Sequence, residues 1–176
     1  RIVDMVAESF DVGIRITTLS SSSIVARRLA TSAVVTVASP AYLAKHGEPV
    51  IPADLREHNC LTYSLDRTPG EWHFHGPQGD ISNVRVRGNL RCNSDETLKQ
   101  AALDGLGIVH FPELFITEEL AQGRLVRLLP GFEPPPGTIC AVFPSRANLA
   151  PKVRVFIDYL ADSLGQAQLA QANKKR

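Results

Sequence analysis

The chain is poor in several things, and each shortage narrows what it can be. It holds three cysteines, Cys60, Cys92 and Cys140, in 176 residues. They are odd in number, far apart and form no Cys-x-x-Cys, which leaves no disulfide framework and no zinc ribbon. Buried reduced thiols in a cytoplasmic protein are the expectation. No run of about 18 apolar residues exists, so nothing reads as a membrane span. The start, Arg1-Ile2-Val3-Asp4, lacks the long apolar stretch of a secretory signal. Neither sign of charge dominates: 19 Lys and Arg face 18 Asp and Glu, a net +1. A dedicated nucleic-acid module would show a basic face instead.

The signatures of common enzymes are missing too. There is no Gly-x-Ser-x-Gly elbow, no phosphate-binding Gly-x-x-x-x-Gly-Lys, no His-Glu-x-x-His and no calcium loop. Gly105-Leu106-Gly107 does not continue as a dinucleotide-binding fingerprint. Asp95 and Glu96 are adjacent and suit a helix start, where carboxylates favour the dipole. His73 and His75 share one strand face, yet with Cys60 they make only three ligands where a structural zinc wants four. The expectation is a protein that is not an enzyme and holds neither metal nor cofactor.

What remains is an ordinary globular composition, 44% hydrophobic and 21% charged, in an order of short helices and strands. Ile2, Val6 and Phe10 recur at helical spacing with no cap before them, so the chain is expected to open inside a helix, as a fragment would. Asp11–Ile16 reads as a strand, Leu19–Ser23 as a loop, and Ile24–Ala38 as two strands. Val34-Val35-Thr36-Val37 is nearly continuous in apolar character, the mark of a strand covered on both faces. Ser39-Pro40 opens a helix, with Ser39 as cap and Pro40 at the first position, and Gly47 ends it. Pro52–Glu57 reads as a helical turn and Cys60–Ser64 as a strand. Trp72–His75 and Val84–Leu90 read as a hairpin turning at Gly76–Asp80.

Asn93 with Glu96 outlines a capping box for a helix that stops near Gly105. A buried strand follows, then a helix begun by Pro112. Glu118–Gln122 is helical with Gly123 as its stop, and Leu125–Leu129 is a strand. After the stiff Pro134-Pro135-Pro136 come a strand at Thr138–Phe143 and a helix at Pro151–Leu164. That helix carries Val153, Phe156, Ile157, Leu160 and Leu164 on one face. The order suits two α/β lobes crossed twice by the chain. Residues 1–36 and 138–164 would form lobe I, residues 37–137 lobe II, and residues 165–176 a disordered tail.

Six blocks carry a resemblance: Phe10–Ile16, Ile24–Leu29, Ala38–Leu43, Asp54–Leu61, Ala101–Ile108 and Pro151–Leu160. In this order and spacing they resemble the regulatory domain of LysR-type transcriptional regulators. The resemblance implies a two-lobe fold like that of type 2 periplasmic binding proteins, α/β in class and truncated at its N-terminus. The family's winged helix-turn-helix is absent from the chain, so contact with DNA is expected only through that missing part. The resemblance further implies an anionic or aromatic small-molecule effector held between the lobes, and a homo-oligomer, dimer or tetramer. Loops after strands would line the cleft, where open α/β sheets bind ligands. These supply Thr17, Thr18, Ser39, Asn93, Ser94, His110, Phe111 and Pro112 as candidate ligand-binding residues.

Each candidate has a plainer reading. Ser39 and Asn93 can be helix caps, His110 a core histidine, Phe111 core packing, and Thr17 and Thr18 solvated turn residues. Two other functions fit the same fold: a solute-binding protein, and an oligomerisation module with an empty cleft.

Overall fold

A computed structural model describes residues 10–17, 25–66, 68, 70–143 and 150–174. The expected helix at residues 1–9, the Leu19–Ser23 loop and Thr18 lie outside the described residues. The chain divides into two compact units, with crossovers at Ser32–Ala33 and at Pro135–Pro136.

The larger unit, Ala33–Pro135, is built on a mixed sheet of five strands. They are β3 (Val34–Ala38), β4 (Cys60–Tyr63), β7 (Arg91–Cys92), β8 (Ile108–Pro112) and β9 (Val126–Arg127), in the spatial order β7-β4-β8-β3-β9. β4 runs parallel to β7 and to β8, while β3 is antiparallel to β8 and β9. The continuous apolar run of β3 therefore belongs to a strand buried on both faces within an antiparallel pair. Its side chains alternate. Val35 and Val37 join Leu61, Val109 and Phe111 beneath α2 (Asp95–Leu103) and α3 (Thr117–Ala121), which contribute Leu98, Ala102 and Leu120. Ala38, Cys60 and Ile108 turn the other way, towards α1 (Pro40–His46), the 3-10 turn Pro52–Glu57 and the hairpin of β5 (Glu71–His75) and β6 (Ile81–Arg85). Tyr42, Leu55, Trp72 and Phe74 fill that second core.

Two glycines hold β4 in place. A Cβ on Gly88 would sit 2.0 Å from the Cys60 carbonyl oxygen, and one on Gly107 would sit 2.2 Å from that of Asn59. The Asn59–Cys60 backbone thus runs between two chain segments that approach as only glycine permits. The Asn59 side chain fastens both: its amide donates to Leu106 O at 2.6 Å, and its oxygen accepts from Asn89 N–H at 2.9 Å.

The second unit combines residues 2–32 and 136–176. Its described sheet is antiparallel, in the order β1-β10-β2, formed by β1 (Gly13–Thr17), β10 (Gly137–Phe143) and β2 (Val25–Ser32). The register shifts between Ile139 and Cys140, a bulge that accentuates the twist. The final helix α4 (Pro151–Lys174) packs on β2 and buries Val153 and Ile157.

Several local expectations need correction. The returning hairpin strand is Ile81–Arg85, not Val84–Leu90. Gly76 N–H bonds Asp80 O at 2.8 Å, so pairing starts at His75 with Ile81. Pro112 ends β8 and precedes a 3-10 turn, Glu113–Phe115, instead of opening a helix. Phe156 is 46% exposed and not part of the buried face of α4. That helix also continues through the expected disordered tail to Lys174, in keeping with the helix propensity of its Gln, Ala and Leu residues.

Candidate functional site

The expected ligand residues fall at different places, and the geometry sorts them. β4 and β8 run in parallel, so their C-terminal ends share one edge of the sheet; β3 enters at that same edge from the crossover at Ala33. Val34 pairs with Pro112, and Glu113 N–H donates to Ala33 O at 2.9 Å. β7 ends beside β4, with Cys92 opposite Tyr63, and leads at once into α2. Ser94 and Pro112 therefore lie at the crossover edge. In the other unit Thr17 pairs with Thr138, next to the Gly137–Ser32 pair from which the chain crosses over.

Ser94, not Asn93, caps α2. Its hydroxyl accepts from Thr97 N–H at 3.2 Å, while Asn93 lies one residue before the cap and is exposed. The expected Asn93–Glu96 capping box does not form, because with Ser94 as cap the third helical position is Thr97. Ser39 does cap α1, accepting from Tyr42 N–H at 3.3 Å, and is 3% exposed. It stands at the far end of the sheet. There it joins Gln100, Leu103, Asp104 and Arg124 around an open hollow of about 470 Å³. Those α2 residues belong to the helix's C-terminal end. Nine residues of helix span about 13 Å, so the N-termini of α1 and α2 do not converge on one small ligand.

The electrostatics at the crossover edge disfavour an anion beside α2. Asp95 and Glu96 already occupy its first turn. Partial burial and the neighbouring Asp95 carboxylate push Asp66 above its ordinary value, and burial does the same for Asp95. The Tyr63 hydroxyl is raised by burial and by both carboxylates.

His110 sits at the centre of β8 on the hairpin side. Its ring stacks on Trp72 at 3.9 Å between centroids, and Phe74 meets it edge-on at 5.1 Å. Burial, with a smaller contribution from His73, drops its pKa to about 3, so the imidazole is neutral at ordinary pH. Phe111 points to the opposite face and is core: it is 2% exposed and edge-on to Phe115. Sequence reading overlooked Thr36, which pairs across the strands with His110 and is 2% exposed. The available signal was one hydroxyl interrupting the apolar run of β3.

Among the described residues no group of three or more His, Cys, Asp or Glu is placed to hold a metal ion. No described helix is long and apolar enough to cross a membrane. Tyr42 ties the hairpin-side elements together: its hydroxyl accepts from Asn59 N–H at 3.0 Å and lies 3.2 Å from His58 Nδ1.

Two α/β units joined by two crossovers define a two-lobe binding fold of the periplasmic-binding-protein kind. Residues 1–165 match the family described as LysR substrate binding domain, and the chain belongs to that family. Among curated relatives it is 35% identical over 171 residues to the HTH-type transcriptional regulator PtxR of Pseudomonas aeruginosa, covering 96% of this chain and 54% of that protein. It is 33% identical over 159 residues to the HTH-type transcriptional activator AaeR of Escherichia coli, covering 90% and 51%. The chain thus spans about half the length of these relatives. The regulatory domain of CrgA, a LysR-type transcriptional regulator from Neisseria meningitidis, superposes with a TM-score of 0.77 at 29% identity, covering 90% of this chain and 78% of that one.

Proposed function

We propose that this chain is the effector-sensing part of a LysR-type transcription regulator, binding a small organic metabolite between its two lobes. In this reading it catalyses no reaction, works in the cytoplasm and forms a homo-oligomer. It reaches DNA only through a helix-turn-helix domain elsewhere in the regulator. What supports the reading is the family match over residues 1–165, together with Ser94 and Pro112 at the crossover edge of the larger unit's sheet. An effector can act as in hinge closures, to the extent that it binds one conformation better than another. The acidic start of α2 favours an aromatic or uncharged effector over an anion on that side of the cleft.

The test is a thermal-shift screen of the chain against aromatic acids, aromatic alcohols and amides, aliphatic acids and amino acids. A ligand that binds only the folded state stabilises it by about 2.7 kcal/mol at 100 times its Kd. A shift confined to one chemical class is the expected result. A folded sample that responds to nothing overturns the sensing reading and favours the oligomerisation module.

A further inference from the structure

Two polar side-chain atoms on neighbouring strands of the sheet are without a partner. Thr36 Oγ1 and His110 Nε2 are both buried, and no protein group among the described residues bonds either one. Their residues are directly opposed in the antiparallel β3–β8 pair, so the side chains leave the same face of the sheet with Cβ atoms about 5 Å apart. At that spacing one small group can reach both side chains. Buried polar groups are nearly always bonded, so a matched pair of orphans on neighbouring strands calls for a shared partner.

We propose that Thr36 and His110 together hold one uncharged oxygen, a hydroxyl or a carbonyl, on the hairpin side of the larger unit's sheet. The chemistry follows from the surroundings. The imidazole is clamped between Trp72 and Phe74, so its nitrogen cannot swing to another partner. His73, between them in β5, points to the hairpin's other face and is engaged with Asn83 at 2.7 Å; Leu128, which donates its N–H to Thr36 O at 2.9 Å, brings no charge. The nearby cation Arg127 is paired with Glu113. An ionised carboxylate placed here would lack a counter-charge, and burying it so is costly. A hydroxyl can accept from Thr36 and donate to Nε2, and a carbonyl can accept from both in the other imidazole tautomer.

The oxygen has two possible sources, an effector or a bound water. The effector arm rests on the proposed sensing function and deepens it by naming the functional group recognised. Benzyl alcohol, benzamide and benzoate form a matched series that differs in charge, and they serve as probes. Binding is read by thermal shift and by the ¹⁵N chemical shift of His110 Nε2, which reports the bond made at that atom. The alcohol or the amide should bind and move the Nε2 signal. Thr36→Val and His110→Gln should each weaken binding roughly tenfold, the effect of losing a buried hydrogen bond. Benzoate should bind at least tenfold more weakly.

The water arm needs no ligand. If water is the shared partner, Thr36→Val lowers Tm in buffer alone and perturbs Nε2, because the isosteric change strips the water of a bond. The proposal is overturned if Thr36→Val leaves both the Nε2 signal and Tm unchanged and weakens no probe, or if benzoate binds better than its neutral partners. Should some compound in the wider screen bind with equal affinity to wild type and both variants, the sensing function stands and the effector arm falls, leaving the Tm and Nε2 readouts in buffer to decide the site.

Discussion

Acidification should destabilise the larger unit through His110. The folded-state pKa of about 3 stands well below the unfolded value of 6.5. Below pH 6.5 the unfolded chain takes up a proton that the folded chain refuses, so stability falls as pH falls, and the loss stops growing near pH 3. Each unit of pH in that window costs about 1.4 kcal/mol, so moving from pH 8 to pH 5 removes about 2 kcal/mol through this one residue. In a chain of this size that is about 4–8 °C in Tm. His58 titrates in the same direction, since burial chiefly, with His46, lowers its pKa. The informative quantity is therefore a difference between two proteins. His110→Gln keeps a polar side chain at the position and removes the titration. Melting wild type and His110→Gln at pH 8 and pH 5 should show a fall in Tm that is smaller in the variant by those 4–8 °C. Equal falls would mean that the ring accepts a proton without leaving the fold, and the burial argument would be refuted.

Other outcomes follow from single contacts. Ser94→Ala should cost ~1 kcal/mol by removing the cap of α2, whereas Asn93→Ala should leave a denaturant midpoint unmoved; the reverse order would restore the register read from sequence. On α4, Ile157→Ala should destabilise by about 2–5 kcal/mol because Ile157 is 1% exposed. Tyr159→Ala, at a residue 67% exposed, should change urea unfolding by less than about 0.5 kcal/mol. Burial raises the Cys60 thiol to about 12 and raises that of Cys140, so the native chain treated with a thiol reagent at pH 8 should label Cys92 first. Early labelling of Cys60 in a mass spectrum would contradict its placement in the core.

The elements were legible wherever a local physical signal was strong. Ser39-Pro40 marked a helix start, Gly123 a stop, and the apolar periodicity of Val153 and Ile157 the inner face of α4. What failed was register and long-range placement. Asn93 and Ser94 are both good caps, and only the path of the chain after β7 decides that Ser94 takes Thr97 N–H. Both helix N-termini were visible as motifs, but no local pattern tells which end of a sheet a helix approaches. That depends on β3 running antiparallel to β8, a pairing 70 or more residues apart in sequence. For the same reason Thr36 was invisible as a site residue: its meaning comes wholly from standing opposite His110.

On the proposed sensing function, that pairing also bears on how the effect of a bound ligand could spread. β3 begins one residue after the crossover, and Ala33 O, at the crossover itself, accepts from Glu113 N–H on the chain just past β8. Thr36 and His110 lie three residues inward from those two positions, one on each strand. A partner that bonds both side chains ties together the two strands that enclose the crossover, and it stiffens the register there whatever its remaining contacts are. On the proposed sensing function, it biases a conformational equilibrium only through the difference between its bonds in the two states. A neutral oxygen bound by two directional hydrogen bonds is more sensitive to a small strand displacement than a diffusely attracted ion, because hydrogen-bond strength falls steeply with angle. The uncharged character of the Thr36–His110 pair is thus a property that suits a sensor of geometry.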